Sequence, residues 1–293
     1  MRQSLLLQQA VALAILLFPI VAFTADDSAH TLRGIEFARV ADRSLKLDLH
    51  LPAGTPRAPL IVWIHGGAWR GGDRNGVPIG KLVNEGYAIA SVDYRLSTEA
   101  RFPAQIHDLK AALRFLRAEA AQWKLSADKI VVAGDSAGGH LAALMGVSSG
   151  DTNLEGTVGT HLDQSSAAQG IMSFYGGSDL TTILDQSTPH GLETRVPALD
   201  LLLGGQPKNV PEIARQASPV FYVNAHSPPL LLLHGDQDPQ MPVNQALEFE
   251  GFYEKAHAPV QLVIVHGAGH GGGAFYDSER MGIVKNFLKQ NFP

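Results

Sequence analysis

Residues 130–147 read IVVAGDSAGGHLAALMGV. Ile130 to Ala133 is a short, β-branched apolar run of the kind that forms a strand buried on both faces. Ala137 to Val147 is a run of small apolar residues that suits a packed helix. Gly134-Asp135-Ser136-Ala137-Gly138 lies between them and fits Gly-x-Ser-x-Gly. A strand–turn–helix setting is what that pattern needs in order to expose a serine hydroxyl. Glycines remove the side-chain clashes that would forbid so tight a turn. The helix beginning at Ala137 turns its free amides toward the same spot, where they favour a developing negative charge. An ordinary glycine-rich strand–helix turn uses the same letters, so the rest of the chain decides.

Outward from this turn, strand and helix alternate. Leu45 to Leu51 alternates apolar and polar residues as a half-exposed strand does. Leu60 to Ile64, Ala88 to Val92, Gly170 to Tyr175, Leu230 to Leu233 and Val260 to Val265 read as further strands. Ile106, Leu109, Leu113 and Leu116 fall at helical spacing and predict a helix over Pro103 to Trp123. Helices are also expected near Val243 to Ala256 and Glu279 to Gln290. This rhythm implies an α/β fold with a mainly parallel central sheet flanked by helices. Gly176 to Ser227 interrupts it with Pro189, Pro197, Pro207, Pro211 and Pro219 around an apolar stretch at Ala198 to Leu203. That segment is expected to be a lid-like insertion over the sheet, where substrate walls sit.

The chain has 293 residues, 45% hydrophobic and 17% charged, which excludes a disordered protein. A net charge of -5 without a basic block offers nothing to nucleic acid. The absence of cysteine excludes a thiol nucleophile, a lipid-modified cysteine and a cysteine metal site. No helical His-x-x-x-His pair or carboxylate cluster points to a metal, and no cofactor is called for. Arg2, the apolar run Val11 to Val21 and small residues up to Ala25 have the layout of a secretory signal. An uncleaved anchor is the alternative, but Gln8, Gln9 and Pro19 interrupt the apolar stretch. The expectation is therefore a signal peptide over 1–25 and one domain over 26–293. The mature protein is then secreted or periplasmic, with no stable membrane partner.

Serine is a weak nucleophile until a base takes its proton, and the base needs an acid to orient it. His234-Gly235-Asp236-Gln237-Asp238 and His266-Gly267-Ala268-Gly269-His270 each follow a predicted strand, in the order serine, acid, histidine. Sites of open α/β sheets lie at those carboxyl ends. His266 sits too close to its strand to reach across, whereas His270 rides on a glycine-rich loop, so His270 is the candidate base. Between Asp236 and Asp238 the residues lean to Asp238 without settling the choice. His65, His234 and His266 are expected to lock loops through backbone hydrogen bonds. His65-Gly66-Gly67-Ala68-Trp69 follows another strand, and a glycine turn leaves amides exposed for an oxyanion. The candidate donors are Gly67, Ala68 and Ala137. Trp69 is a candidate substrate-binding wall, although a tryptophan beside a turn is as often core.

The sequence resembles the α/β-hydrolase superfamily, and within it the hormone-sensitive-lipase-like and BD-FAE-type (bacterial feruloyl-esterase-like) branch. The resemblance covers nearly everything after the leader. It rests on HGGAW at 65–69, DYRL at 93–96 with FPAQIHDLKAALRFLR behind it, and GDSAGGHLA at 134–142. LDQSS at 162–166, FYGGSDL at 174–180, ASPVFYV at 217–223, HGDQDPQMPVNQ and GAGHGG complete it. It implies the α/β-hydrolase fold and the set Ser136, Asp238, His270, with Asp238 as the acid. Ala68 stands where lipase-type relatives carry a third glycine, and Met241 where the acid loop usually has valine, the latter a packing change. The implied activity is hydrolysis of small-molecule or carbohydrate esters: short acyl, acetylated or feruloylated. An amide hydrolase of arylformamidase or prolyl-peptidase type, or a non-catalytic binding module, is the alternative. Expressed in a secreting bacterium, the protein is expected to lose about 25 residues. N-terminal sequencing of the mature chain checks this, and recovery at full length from the membrane fraction would mark an anchor instead.

Overall fold

The computed structural model describes residues 28–292. The predicted leader, 1–25, lies outside the described residues. The strands are β1 (His30–Val40), β2 (Arg43–Leu51), β3 (Ala58–Ile64), β4 (Ala88–Val92), β5 (Leu125–Asp135), β6 (Gly170–Phe174), β7 (Leu230–Gly235) and β8 (Val260–Val265). The helices are α1 (Ala104–Ala118), α2 (Ala137–Val147), α3 (Thr152–Glu155), α4 (Ile183–Gln186), α5 (Pro189–Leu203), α6 (Pro211–Gln216), α7 (Asn244–Lys255) and α8 (Ser278–Asn291). All eight strands share one sheet in the order β1-β2-β4-β3-β5-β6-β7-β8. β2 runs antiparallel to both its neighbours, and from β4 to β8 every pairing is parallel.

The central strands are apolar throughout because both faces of the sheet are covered. On β3, Leu60, Val62 and Ile64 face one core with α1 and α2, while Ile61 and Trp63 face a second core with α8. β5 splits in the same way, with Val132 on the first side and Val131 and Ala133 on the second. α2 is buried at every residue from Ala137 to Val147, which explains its small side chains. Its first turn touches the sheet. A Cβ at Gly138 would lie 2.0 Å from the Ile64 carbonyl oxygen, and one at Gly134 would lie 2.5 Å from the same atom.

Three expectations change. β1 is an eleven-residue strand with no forecast in the sequence reading. Its register against β2 slips between Leu32 and Ile35 and again between Glu36 and Ala38, which erases the period-two signal. α1 ends at Ala118, short of Trp123, because the chain turns back through Lys124 at φ 54° to start β5. The 176–227 insertion is largely helical, since three of its prolines start helices and Pro197 is carried inside α5. Pro189, Pro211 and Pro219 each occupy the first turn of a helix, where the missing N–H costs nothing. Leu180, Ile183, Ala198, Leu199 and Leu202 of this insertion are buried in the same core cluster as α1 and α2.

Because β3 to β8 are parallel, the loops after β3, β5, β6, β7 and β8 leave from one edge of the sheet. The close packing of α2 on β3 makes Gly138→Ala costly. It is expected to lower unfolding free energy by about 2 to 3 kcal/mol in a urea titration. Gly282→Ala in α8, where a Cβ meets nothing within 4 Å, is the control and should be neutral or slightly stabilising.

Candidate active site

Ser136 sits at the end of β5 with φ 51° and ψ -117°, a conformation that side-chain-bearing residues adopt only under constraint. Its amide donates to the Phe174 carbonyl at 2.9 Å, which extends the β5–β6 ladder into the turn. Of the eight non-glycine residues with positive φ among those described, four cluster here: Ala68, Trp69, Ser136 and Tyr175. Such clustering of backbone strain marks a site whose geometry the surrounding packing imposes.

The structure joins Ser136, His270 and Asp238 in one hydrogen-bonded chain. His270 Nε2 lies 2.8 Å from Ser136 Oγ, and His270 Nδ1 lies 2.7 Å from Asp238 Oδ2. The other carboxylate oxygen of Asp238 accepts the amides of Gln240 and Met241, each at 2.8 Å. Burial pushes the Asp238 pKa up, but hydrogen bonds from His234 and His270 outweigh it and hold the carboxyl well below the usual range. An ionised carboxylate only accepts, so Nδ1 of His270 carries the proton. Nε2 is then a lone pair, and the Ser136 hydroxyl donates to it. The ring of Tyr175 packs edge-on against His270 with centroids 5.0 Å apart and limits its rotation.

Asp236 is not part of this chain. It is bonded to Nδ1 of His266 at 2.8 Å and to the Gly267 amide at 2.8 Å, on the exposed rim. His266 therefore ties two loops together through a carboxylate, not through backbone as expected. His65 and His234 do bond backbone: His65 Nδ1 donates to the Gly66 carbonyl at 2.8 Å and His234 Nε2 to the Met241 carbonyl at 2.9 Å. His234 Nε2 is also 3.5 Å from Asp238 Oδ2, so it braces the acid loop from beneath. The Met241 side chain is fully buried in the core, as a packing substitution requires.

The 65–72 loop lies directly against the serine turn. Gly66 donates its amide to Asp135 Oδ1 at 2.8 Å, and a Cβ on Gly66 would lie 3.2 Å from Ser136 Cβ. The Tyr94 hydroxyl donates to the His65 carbonyl at 3.1 Å, and the Tyr94 ring stacks on His65 at 4.5 Å. Asp93 accepts the amide and guanidinium of Arg74, while Arg95 is held by Asp108 of α1. The DYRL and HDLK motifs thus act as the scaffold beneath this loop. Among the described residues no hydrogen bond leaves the amides of Gly67, Ala68 or Ala137, so the three candidate donors are unspent.

A cavity of about 360 Å³ opens on the serine and is lined by Gly67, Ala68, Ser136, Tyr175, Arg195, Gln240 and His270, with Asp135 and Gly271. Trp69 is not on that surface. Its side chain is fully buried, its Nε1 donates to His140 Nδ1 at 3.1 Å, and the two rings meet edge-on. The expectation of a substrate wall at Trp69 is corrected to a core residue beneath the site. The wall comes instead from Arg195 of α5 and from Tyr175, neither singled out by the sequence reading. Arg195 continues the buried face of α5 that carries Ala198, Leu199 and Leu202, and once the helix is recognised that spacing turns it inward. Asp135, inside the serine motif itself, accepts from Gly66 and from the Tyr175 hydroxyl at 3.3 Å.

A mainly parallel eight-stranded sheet that carries a serine turn after β5, an acid loop after β7 and a histidine loop after β8 defines an α/β-hydrolase. The chain belongs to the BD-FAE family, whose model matches residues 47–253. It is 33% identical over 225 residues to esterase LipC of Mycobacterium tuberculosis, which covers 74% of this chain and 54% of LipC. It is 31% identical to esterase LipQ of the same organism over 206 residues, 69% of this chain and 47% of LipQ. The chain thus spans about half the length of these relatives. A truncated carbohydrate esterase from gut microbiota superposes with a TM-score of 0.82 at 28% identity, over 92% of this chain and 99% of that one. The bifunctional GH43-CE protein of Bacteroides eggerthii superposes with a TM-score of 0.79 at 30% identity, over 89% of this chain and 35% of that one.

His140 of α2 is held neutral by its neighbours. Nδ1 accepts from Trp69, so Nε2 bears the proton and donates to the Ala217 carbonyl at 2.7 Å. A second proton would set two donors face to face in the core. Burial, with the Arg195 charge, lowers its pKa from 6.5 to about 4. The unfolded chain therefore binds the proton first as pH falls, and folded stability should drop between pH 6.5 and pH 4. The loss attributable to this group is on the order of a few kcal/mol, and it is absent in the variant His140→Gln. Urea midpoints across that window check it, and equal slopes for wild type and variant would exclude the assignment.

Proposed function

We propose that this protein is a serine esterase that hydrolyses carboxylic esters through an acyl-enzyme. The observation that carries the reading is the Asp238–His270–Ser136 chain, whose hydrogen bonds of 2.7 and 2.8 Å orient a neutral imidazole lone pair at a serine hydroxyl. Ser136 Oγ attacks the ester carbonyl carbon while its proton passes to His270 Nε2. The oxyanion is met by the unspent amides of Gly67, Ala68 and Ala137 at the start of α2. Collapse breaks the bond to the alcohol oxygen, which leaves with the proton from His270. Water then attacks the acyl-enzyme with His270 as base, and the acid departs as Ser136 recovers its proton. Asp238, kept ionised by its hydrogen bonds, stabilises the imidazolium in both halves.

Carbohydrate esters are the substrates this reading favours, either with short acyl groups such as acetyl or with feruloyl groups. The cavity of about 360 Å³ has no large aliphatic side chain in its lining, so nothing in it suits a long acyl chain. Two solved neighbours are described as carbohydrate esterase and GH43-CE, which supports the same class. The predicted leader supports action outside the cytoplasm, on soluble esters in the surroundings.

With p-nitrophenyl esters from acetate to decanoate, turnover is expected to fall steeply beyond the short chains. Ser136→Ala should lower kcat by about 10⁴-fold or more, and Asp238→Asn by about 10³- to 10⁴-fold. Near-normal turnover by purified Ser136→Ala would refute the nucleophile assignment. A folded wild type that hydrolyses no ester would shift the reading to amides.

A further inference from the structure

Arg195 is a cation on the wall of the active-site cavity with almost no exposure of its own, 1%. Its Nε donates to the Gln240 carbonyl at 3.2 Å, the only hydrogen bond of the guanidinium among the described residues. Nη1 is enclosed and has no partner. The guanidinium also lies 5.8 Å from the Trp69 ring centroid, a contact that stabilises a cation without using its N–H groups. Burial lowers its pKa to about 10, so it is charged at neutral pH.

A buried charge is costly unless an opposite charge answers it. Asp238 is the nearby anion, but its oxygens are already occupied by His270, Gln240 and Met241, and it makes no ion pair with Arg195 among the described residues. Arg70, exposed beyond the glycine turn, adds a second positive charge felt at this site. Asp135 shares the cavity, yet its oxygens are taken by the Gly66 amide and the Tyr175 hydroxyl, and burial raises its pKa toward the neutral form. The guanidinium thus keeps N–H donors that no protein acceptor answers, beside the unspent amides of Gly67 and Ala68 in the same cavity. A planar guanidinium with free donors is complementary to a carboxylate.

We propose that Arg195 is a specificity-determining residue that binds a carboxylate carried by the ester substrate, so that the preferred esters are anionic. This rests on the esterase reading above. The carboxylate can belong to the acyl part, as in a half-ester of a dicarboxylic acid, or to the alcohol part, as in an ester of an acidic sugar.

Two matched pairs separate these sources. Mono-p-nitrophenyl succinate against p-nitrophenyl butyrate places the charge on the acyl side. The acetate of 4-hydroxyphenylacetic acid against 4-ethylphenyl acetate places it on the alcohol side. In the wild type, the anionic member of one pair is expected to have a kcat/KM about tenfold or more above its neutral partner, through a lower KM. Arg195→Met should reduce that ratio by about tenfold, while Arg195→Lys keeps part of it. Equal or better use of the neutral esters by the wild type, which needs no variant to fold, overturns the inference and leaves the esterase reading standing. A uniform loss on all four esters in Arg195→Met also overturns it, by assigning the guanidinium to bracing the acid loop through Gln240. No turnover of either pair refutes the esterase reading and this inference with it.

Discussion

The first turn of α2 must pass within van der Waals contact of the β3 backbone, and the site follows from that approach. With a carbonyl oxygen 2.0 Å from where a Gly138 Cβ would stand, no other residue fits without moving the strand. Gly134 and Gly66 meet similar limits, against Ile64 and against Asp135 and Ser136. The chain can therefore reverse from β5 into α2 only through a left-handed residue, and that residue is Ser136. Strain of about 1 to 3 kcal/mol is typical of such positions. Burial of every residue of α2 between the sheet and its neighbours holds the turn in place. Packing thus presents the hydroxyl, and the amide of Ala137 comes to the same point without further design.

The direction of the proton chain is likewise set away from the serine. Two amides of the acid loop and His270 take up the oxygens of Asp238, so the carboxylate has no reason to protonate. An acceptor-only carboxylate dictates the tautomer of His270, and the tautomer dictates which way Ser136 donates. His234 beneath the loop and Tyr175 beside the imidazole remove the alternatives, one by holding the Met241 carbonyl and the other by packing on the ring. Asp236, two residues away, has the same chemistry but faces the rim, where it spends itself on His266 and Gly267.

Much of this was legible in the residues because it rests on period and punctuation. The parallel strands are apolar runs with turns at their ends, and β4, α2 and β8 have the bounds their patterns imply. Ser136 and the acid and histidine loops follow from chain order. Signals failed where two structural demands share one segment. β1 carries bulges, so its alternation cancels. The insertion looks proline-broken because proline is equally at home at a helix start, and only the cap at Thr188, which accepts from Gly191, shows which role Pro189 plays. Trp69 follows a glycine turn in either environment, and its burial depends on a partner seventy-one positions away, His140. Arg195 was hidden by a sound prior, since arginine is rarely buried.

Trp69, His140 and Arg195 belong together, and their arrangement explains why a cation is tolerated at this depth. The indole spends its N–H on His140, leaving its face for the guanidinium. His140 in turn stays neutral, chiefly because burial disfavours its charged form, while the Arg195 charge and the indole donor oppose a second proton. A neutral histidine and an aromatic face let one positive charge stand on the cavity wall with no ion-pair partner among the described residues, Asp238 acting on it only at a distance. Gln240 ties the same guanidinium to the loop that bears Asp238, so one residue links the wall to the acid. A guanidinium with no ion pair inside the protein and an unpartnered Nη1 is matched by a carboxylate supplied from outside it. The insertion between β6 and β7 then contributes selectivity, while the sheet edge contributes the reaction centre.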